Sequence, residues 1–390
     1  MSYLETKELS VGYHGNILIH DINIRIEKGK ILTLVGPNGA GKSTILKSIT
    51  RHLRAISGSV YVQDRDMHRW SAKEMATHLA VVLTDRIHPE LMTCQELVAM
   101  GRYPHTNAIG KLTEEDRQKV EEALALVHGE ELSGQDFGTL SDGQKQRILL
   151  ARAICQDTEI IVLDEPTAYL DIRYKVEFLE ILRKLAREKG TTIILSLHEI
   201  DLACKISDKL LCVKGDRLSL FGDPEELLGG TNANRLYDME KGSYNPIFGS
   251  VELSKPEGAP RVFVLGGGGY GIPIYRQLQK WQVPFAAGIL FENEIDTQVA
   301  RDLASAALVA PAFSPIPEAM VEEAFRTMKQ IGAVLDTHCP IGPFNACNGR
   351  LLELAKDAQI PIFHHPKELW QHRTIMSAPF AQSFAPSAQL

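Results

Sequence analysis

Residues 31–35, "ILTLV", run straight into "GPNGAGKST" at 36–44, and "TILKSIT" follows. Short apolar runs of this kind are buried strands, and the residues after the loop have helix-forming character. The pattern G-x-x-x-x-G-K-[ST] between strand and helix is a phosphate cradle. Its glycines, Gly36, Gly39 and Gly41, let backbone N–H groups turn inward, with Asn38 at the crest of the loop. Lys42 is placed to reach β- and γ-phosphates, and the helix N-terminus beginning near Thr44 adds partial positive charge. The Ser43 hydroxyl is a ligand for Mg²⁺. With further strands and helices after it, this part of the chain reads as mixed α/β.

Such a loop needs an acidic strand end for the metal, and "EIIVLDEP" at 159–166 supplies one. Asp164 closes an apolar strand and is the expected Mg²⁺ partner. Glu165 follows it, placed to orient or deprotonate an attacking water. A third apolar run, "TTIILSLH" at 191–198, is another buried strand. Between the two lies "DIRYKVEFLEILRKLAREKG", helical in its spacing, with Gly190 as the stop. "GSVYVQDRDM" alternates and predicts an antiparallel group.

From these motifs the first 230 or so residues resemble the ATPase subunit of ABC transporters. "LSDGQKQR" at 140–147 is similar to the family signature. "PTAYLD" at 166–171 resembles the loop that ends on an aspartate, here Asp171, and "LSLHEID" puts His198 where the family has its switch histidine. Tyr13 in "VGYHG" matches the aromatic that stacks on adenine. The resemblance implies ATP and Mg²⁺ as ligands and a head-to-tail homodimer. In that dimer Ser141, Gly143 and Gln144 of one subunit meet the γ-phosphate held by the other. It also implies integral-membrane permease partners, an extracytoplasmic substrate-binding protein acting through them, and a place at the cytoplasmic face of the membrane. Two departures stand out. Asp142 replaces a signature glycine and is expected to point away from the nucleotide. Thr84, followed by Asp85, takes the place of the family's usual glutamine.

"TCQELVAMGRYPHTNAIGKLTEED" at 93–116 resembles the segment of ATPases that serve importers of ferric siderophores, haem and vitamin B12. The bland alternative makes Arg102, Tyr103 and His105 a surface loop with a proline turn. The cargo implied is a metal chelate, a corrinoid or an iron complex. Rival readings are an ABC ATPase for molybdate or a bare metal ion, a soluble ABC ATPase of repair or translation, and a bifunctional protein whose C-terminal part holds a redox cofactor or corrinoid.

The chain has 390 residues, more than one typical core accommodates. We expect an ABC ATPase domain at 1–238, a linker at 239–260 (the alternative being that "NPIFGSVEL" within it packs on a domain), a Rossmann-like domain at 261–375 and a loose tail at 376–390. The second domain is read as an open parallel α/β sheet of about five strands, at 261–265, 284–290, 306–311, 333–336 and 360–363. Its first loop, "VLGGGGYG" at 264–271, has Gly266, Gly268 and Gly271 in G-x-G-x-x-G spacing. Two readings stay open: a dinucleotide or phosphate site with Glu292 or Glu294 as the ribose acid, or a tight turn that binds nothing. Asp336, His338, Cys339, Cys347, His364 and His365 gather near later strand ends. They are either ligands of zinc, iron or a corrinoid, or separate loop residues. A net charge of −7 argues against nucleic acid as a partner. The six cysteines show no C-x-x-C pair, which fits a reducing compartment. No secretion signal or membrane-spanning run is read from the sequence.

Overall fold

The computed structural model describes residues 2–83, 91–106, 110–227 and 232–371. The chain divides into two compact units, Met1–Asp238 and Met239–Leu390.

The first unit opens with β1 (Leu4–Tyr13) paired antiparallel to β2 (Asn16–Ile22), with the short β3 (Arg25–Ile26) also on β1. The fully buried β4 (Ile31–Val35) leads through the glycine loop into α1 (Lys42–Ile49). Next, β5 (Ser57–Val62) and β6 (Arg65–Asp66) complete the antiparallel sheet predicted for this stretch, order β2-β1-β5-β6. Then α2 (Ala72–His78) feeds β7 (Leu79–Val82). A helical group follows: α3 (Cys94–Ala99), α4 (Glu114–Leu126) and α5 (Asp142–Cys155). The chain returns through β8 (Ile160–Leu163), α6 (Ile172–Lys189), β9 (Thr192–Ser196), α7 (Ile200–Ile206), β10 (Lys209–Lys214) and β11 (Arg217–Gly222). Two short helices, α8 (Pro224–Leu227) and α9 (Asn232–Leu236), end the unit.

The second sheet of this unit runs β11-β10-β4-β9-β8-β7, parallel except for β11. One core joins the two sheets around α1: Leu9 and Ile19 from the first, Val162 and Ile194 from the second, and Ile45, Leu46 and Ile49 between them. Burying each such side chain contributes about 1.5–3 kcal/mol, so α1 is held against β1 and β9. Gly190, at φ 68°, takes the left-handed conformation that ends α6.

The second unit begins with a hairpin, β12 (Ser243–Asn245) and β13 (Ser250–Glu252). This corrects the expected linker at 239–260. Glu252 is buried and pairs with Arg276, Ser254 O accepts from Gln279 at 3.1 Å, and Asn245 reaches Asp302 at 3.4 Å. Those polar anchors fasten the segment to the second unit. The tail expected at 376–390 lies outside the described residues.

Strands and helices then alternate: β14 (Val262–Leu265), α10 (Gly271–Lys280), β15 (Phe285–Phe291), α11 (Ile295–Leu303), β16 (Ala306–Ala310), α12 (Glu318–Ile331), β17 (Val334–Asp336), α13 (Ala346–Asp357) and β18 (Ile362–Phe363). The sheet is wholly parallel, in the order β16-β15-β14-β17-β18. Side chains alternate across it. Val262 and Val264 pack with Tyr275, Leu278, Val299 and Leu303 from α10 and α11. Phe263 and Leu265 face Val321, Met328 and Leu351 from α12 and α13. This is a doubly wound sheet whose strand order reverses beside β14, between the loops after β14 and β17.

Candidate functional site

The ends of β4, β8 and β9 bring the predicted nucleotide residues together. Gly36 allows the backbone to pass close to β10: a Cβ there would lie 2.2 Å from Val213 O. Gly41 caps α1 at φ 99°, again in the left-handed region. Asn38 and Gly39 sit exposed at the loop crest. Lys42 is 4% exposed, and its Nζ donates to Gly36 O at 2.8 Å and Pro37 O at 3.0 Å. Burial lowers its pKa, opposed by the Glu165 and Asp164 carboxylates nearby. Tyr13, half exposed, brings its Oη to 3.2 Å from Thr44 Oγ1 at the start of α1.

Asp164 is almost wholly buried and accepts from Ser196 Oγ at 2.7 Å. The Glu165 N–H donates to the same Ser196 oxygen at 2.8 Å. Glu165 has φ 49°, an uncommon value for a residue with a side chain, and its Oε1 meets His198 Nε2 at 2.7 Å. A buried cation, two consecutive carboxylates and an imidazole therefore converge on the P-loop. Carboxylate and hydroxyl oxygens are the donor set that suits Mg²⁺, and Asp164 and Ser43 offer them.

The remaining predicted residues hold helix ends. Ser141 and Gln144 form a capping box on α5: Gln144 N–H donates to Ser141 Oγ at 3.3 Å, and Ser141 N–H to Gln144 Oε1 at 2.9 Å. Asp142 is the first residue of α5 and is exposed, where its charge faces the positive helix end. A Cβ on Gly143 would press Leu170 at 3.3 Å. Asp171 caps α6, accepting from Tyr174 N–H at 3.1 Å. Thr84 and Asp85 lie outside the described residues.

Arg102 is not the surface residue that the bland alternative made of it. It is 6% exposed and binds Asp116 at 2.8 Å and Cys155 O at 2.9 Å. Thr113 caps α4 through the same Asp116. Backbone hydrogen bonding from Thr113, then Arg102, holds the Asp116 carboxyl down at about 2. His105 meets Gln156 O at 2.8 Å, while Tyr103 stays exposed.

In the second unit, the structure answers the question left by the glycine loop. Gly269 and Gly271 N–H groups donate to the wholly buried Asp296, the latter at 2.6 Å. Glu294 accepts from Phe291 N–H at 2.8 Å and from the Gly268 backbone, and burial raises its pKa. Three of the loop's backbone donors, those of Gly268, Gly269 and Gly271, are taken by the chain's own carboxylates, which favours the tight-turn reading over the dinucleotide one. Cys339 packs on Gly267 and accepts a weak hydrogen bond from Asn345. Cys347 lines a separate cavity of about 650 Å³ with Phe291, Glu294, Phe313 and Phe344. Neither thiol joins Asp336, His338 and His364, which do come together.

Comparison with known proteins fits this geometry. The ABC transporter family profile matches residues 19–168. An uncharacterized ABC transporter ATP-binding protein of Methanocaldococcus jannaschii, MJ0873, is 40% identical over 288 residues, 74% of this chain and 99% of that protein. The chain belongs to the ABC transporter ATP-binding proteins. Bacillus subtilis FhuC, an iron(3+)-hydroxamate import ATP-binding protein, is also 40% identical, over 55% of this chain and 80% of FhuC. The dimeric structure of MJ0796, a bacterial ABC transporter cassette, superposes with TM-score 0.52 at 25% identity, covering 57% of this chain and 98% of that one. Residues 285–383 match the MJ0874 family.

As an ABC ATPase the protein binds and hydrolyses ATP. Ser196, which ties Asp164 to Glu165, is the residue at these strand ends that the sequence motifs missed. The available signal was a hydroxyl, Ser196, closing the apolar run "IIL" in "TTIILS". Among the described residues no helix is long and apolar enough to cross a membrane.

Proposed function

We propose that this ABC ATPase powers uptake of a metal chelate, a ferric siderophore or a corrinoid, through integral-membrane permease subunits. It works as a homodimer at the cytoplasmic face of the membrane, and an extracytoplasmic binding protein selects the cargo. The observation that carries the mechanism is the convergence of Lys42, Asp164, Glu165 and His198. FhuC, named for iron(3+)-hydroxamate import, supports the choice of cargo, as does the resemblance of residues 93–116 to chelate importers.

In this reading Tyr13 stacks on adenine and the N–H groups of the Gly36–Thr44 loop surround the phosphates. Lys42 leaves its carbonyl partners to meet the β- and γ-oxygens. Ser43 and Asp164 hold Mg²⁺, which when bound neutralises phosphate charge. Glu165 orients the attacking water and takes its proton, and His198, in contact with Glu165, fixes that carboxylate and senses the γ-phosphate. Ser141, Gly143, Gln144 and Asp171 complete the site across the dimer. The ATPase body is residues 1–238 and the Rossmann-like part 261–375.

The test is reconstitution with the partner permease. Ferric hydroxamate or cobalamin should enter vesicles only with ATP, and the one that is the cargo should raise ATP turnover in the presence of its binding protein. Stimulation by molybdate or a bare metal ion, with none by either chelate, would overturn the cargo. Wild-type turnover by Glu165→Gln would overturn the assignment of the base.

A further inference from the structure

The second unit holds a cluster that ATP chemistry does not use. β17 and β18 are parallel neighbours, in register Val334↔Ile362 and Leu335↔Phe363. The next step of that register sets Asp336 beside His364 where both strands end. His338 follows two residues after Asp336, at φ 56°. Asp336 Oδ2 lies 3.5 Å from His338 Nδ1 and 3.5 Å from His364 Nδ1. One donor atom from each of the three residues falls within a single 4.8 Å group.

We propose that Asp336, His338 and His364 form a binding site for one divalent transition-metal ion, of the zinc or iron(II) class, with coordination positions left open to solvent or to a further ligand. The donor chemistry sets the class. Two imidazoles and one carboxylate favour zinc, iron(II), nickel or copper over magnesium or calcium, which prefer all-oxygen sites. Asp336 is already oriented as a ligand, because its other oxygen, Oδ1, accepts the His338 backbone N–H at 2.9 Å. Oδ2 is thereby turned to both rings, the kind of outer bond that orients a ligand carboxylate. The His364 backbone is fixed as well, since its N–H donates to Glu368 at 2.9 Å.

The imidazoles stack, with centroids 4.7 Å apart and planes 10° from parallel. A metal must lie near the plane of each ring it binds, so at least one ring turns as the ion enters. Their side chains are 64% and 52% exposed, which leaves room for that turn, while Asp336 is 15% exposed and forms the floor. Three protein ligands facing solvent make an open site, unlike the closed four-ligand shell of structural zinc. The site also lies at the carboxyl ends of parallel strands, where this architecture binds ligands.

The test uses the full-length, tag-free, nucleotide-free protein with cobalt(II) as a spectroscopic probe and zinc(II) in equilibrium dialysis. Wild type should take up one ion per chain, with visible cobalt absorption. His364→Ala and His338→Ala should each weaken binding about tenfold or more. His365→Ala should bind like wild type, because that ring accepts the Lys367 N–H and is not one of the three grouped donors. ATP turnover, measured with Mg²⁺ supplied after the transition metal has been removed, should be unchanged in all three variants, and equal melting free of transition metal would show that they fold. Absence of stoichiometric metal on wild type would overturn the proposal. So would equal binding by wild type and His364→Ala.

Discussion

Ser196 shows how one hydroxyl can matter more than its motif suggests. It donates to Asp164 and accepts from the Glu165 N–H, so it sets the spacing between the proposed metal carboxylate and the proposed base. Ser196→Ala should lower kcat about tenfold or more through misplacement of Glu165, with little change in KM. It should also cost roughly 1–3 kcal/mol of stability, because the buried Asp164 carboxylate loses a donor. Steady-state kinetics with a urea melt checks both, and an unchanged kcat would reduce Ser196 to packing. Glu165→Gln should cut turnover by about 100-fold or more while ATP binding persists, since the phosphate loop is untouched. Single-turnover hydrolysis beside nucleotide binding distinguishes that from loss of affinity.

Helix ends are the next scale. Asp116 caps α4 with Thr113 and receives Arg102, so one carboxylate ties the 3₁₀ turn after α3, the start of α4 and, through Cys155 O, the end of α5. Asp116→Ala should destabilise the fold by about 3 kcal/mol or more, because it strands a buried guanidinium. The pH dependence has a definite sign. The folded pKa, about 2, lies below the ordinary 3.8. The stabilisation is therefore fully present above pH 4 and lost as pH falls toward 2. Asp116→Asn should flatten acid unfolding in that window, and urea midpoints measured against pH would reveal a slope that persists. In the second unit, Asp296→Ala removes two charge-assisted bonds from the glycine loop. A loss of about 3 kcal/mol is expected, read as faster hydrogen exchange along β14 and β15.

Across the molecule, each unit has its own core. Calorimetry of the full chain should therefore show two unfolding transitions. Saturating ATP should raise only the one belonging to residues 1–238, by about 2.7 kcal/mol at one hundred times Kd. A single transition that shifts as a whole would show that the units unfold together. The fragment 1–238 should keep ATP turnover, because every predicted nucleotide residue lies before 199.

What the sequence determined by itself was local or periodic. The strand, glycine loop and helix at 31–49 are contiguous, the stop of α6 is one glycine, and the five strands of the second unit's parallel sheet are short apolar runs with helices between. Such features are set by residues within a few positions of each other, so a linear pattern carries them. The tertiary structure decided which distant groups meet. Asp296 lies 25 residues beyond Gly271, yet it fills the loop that the spacing alone left open to phosphate. Ser196 reaches Asp164 across 32 residues, and Arg102 finds a buried partner in Asp116 rather than solvent. Asp336 and His364 meet only because β17 and β18 pair in one register; a shift of a single residue would turn one of them to the other face. Strand order, register and burial come from packing the whole chain at once, and no short window of sequence contains them.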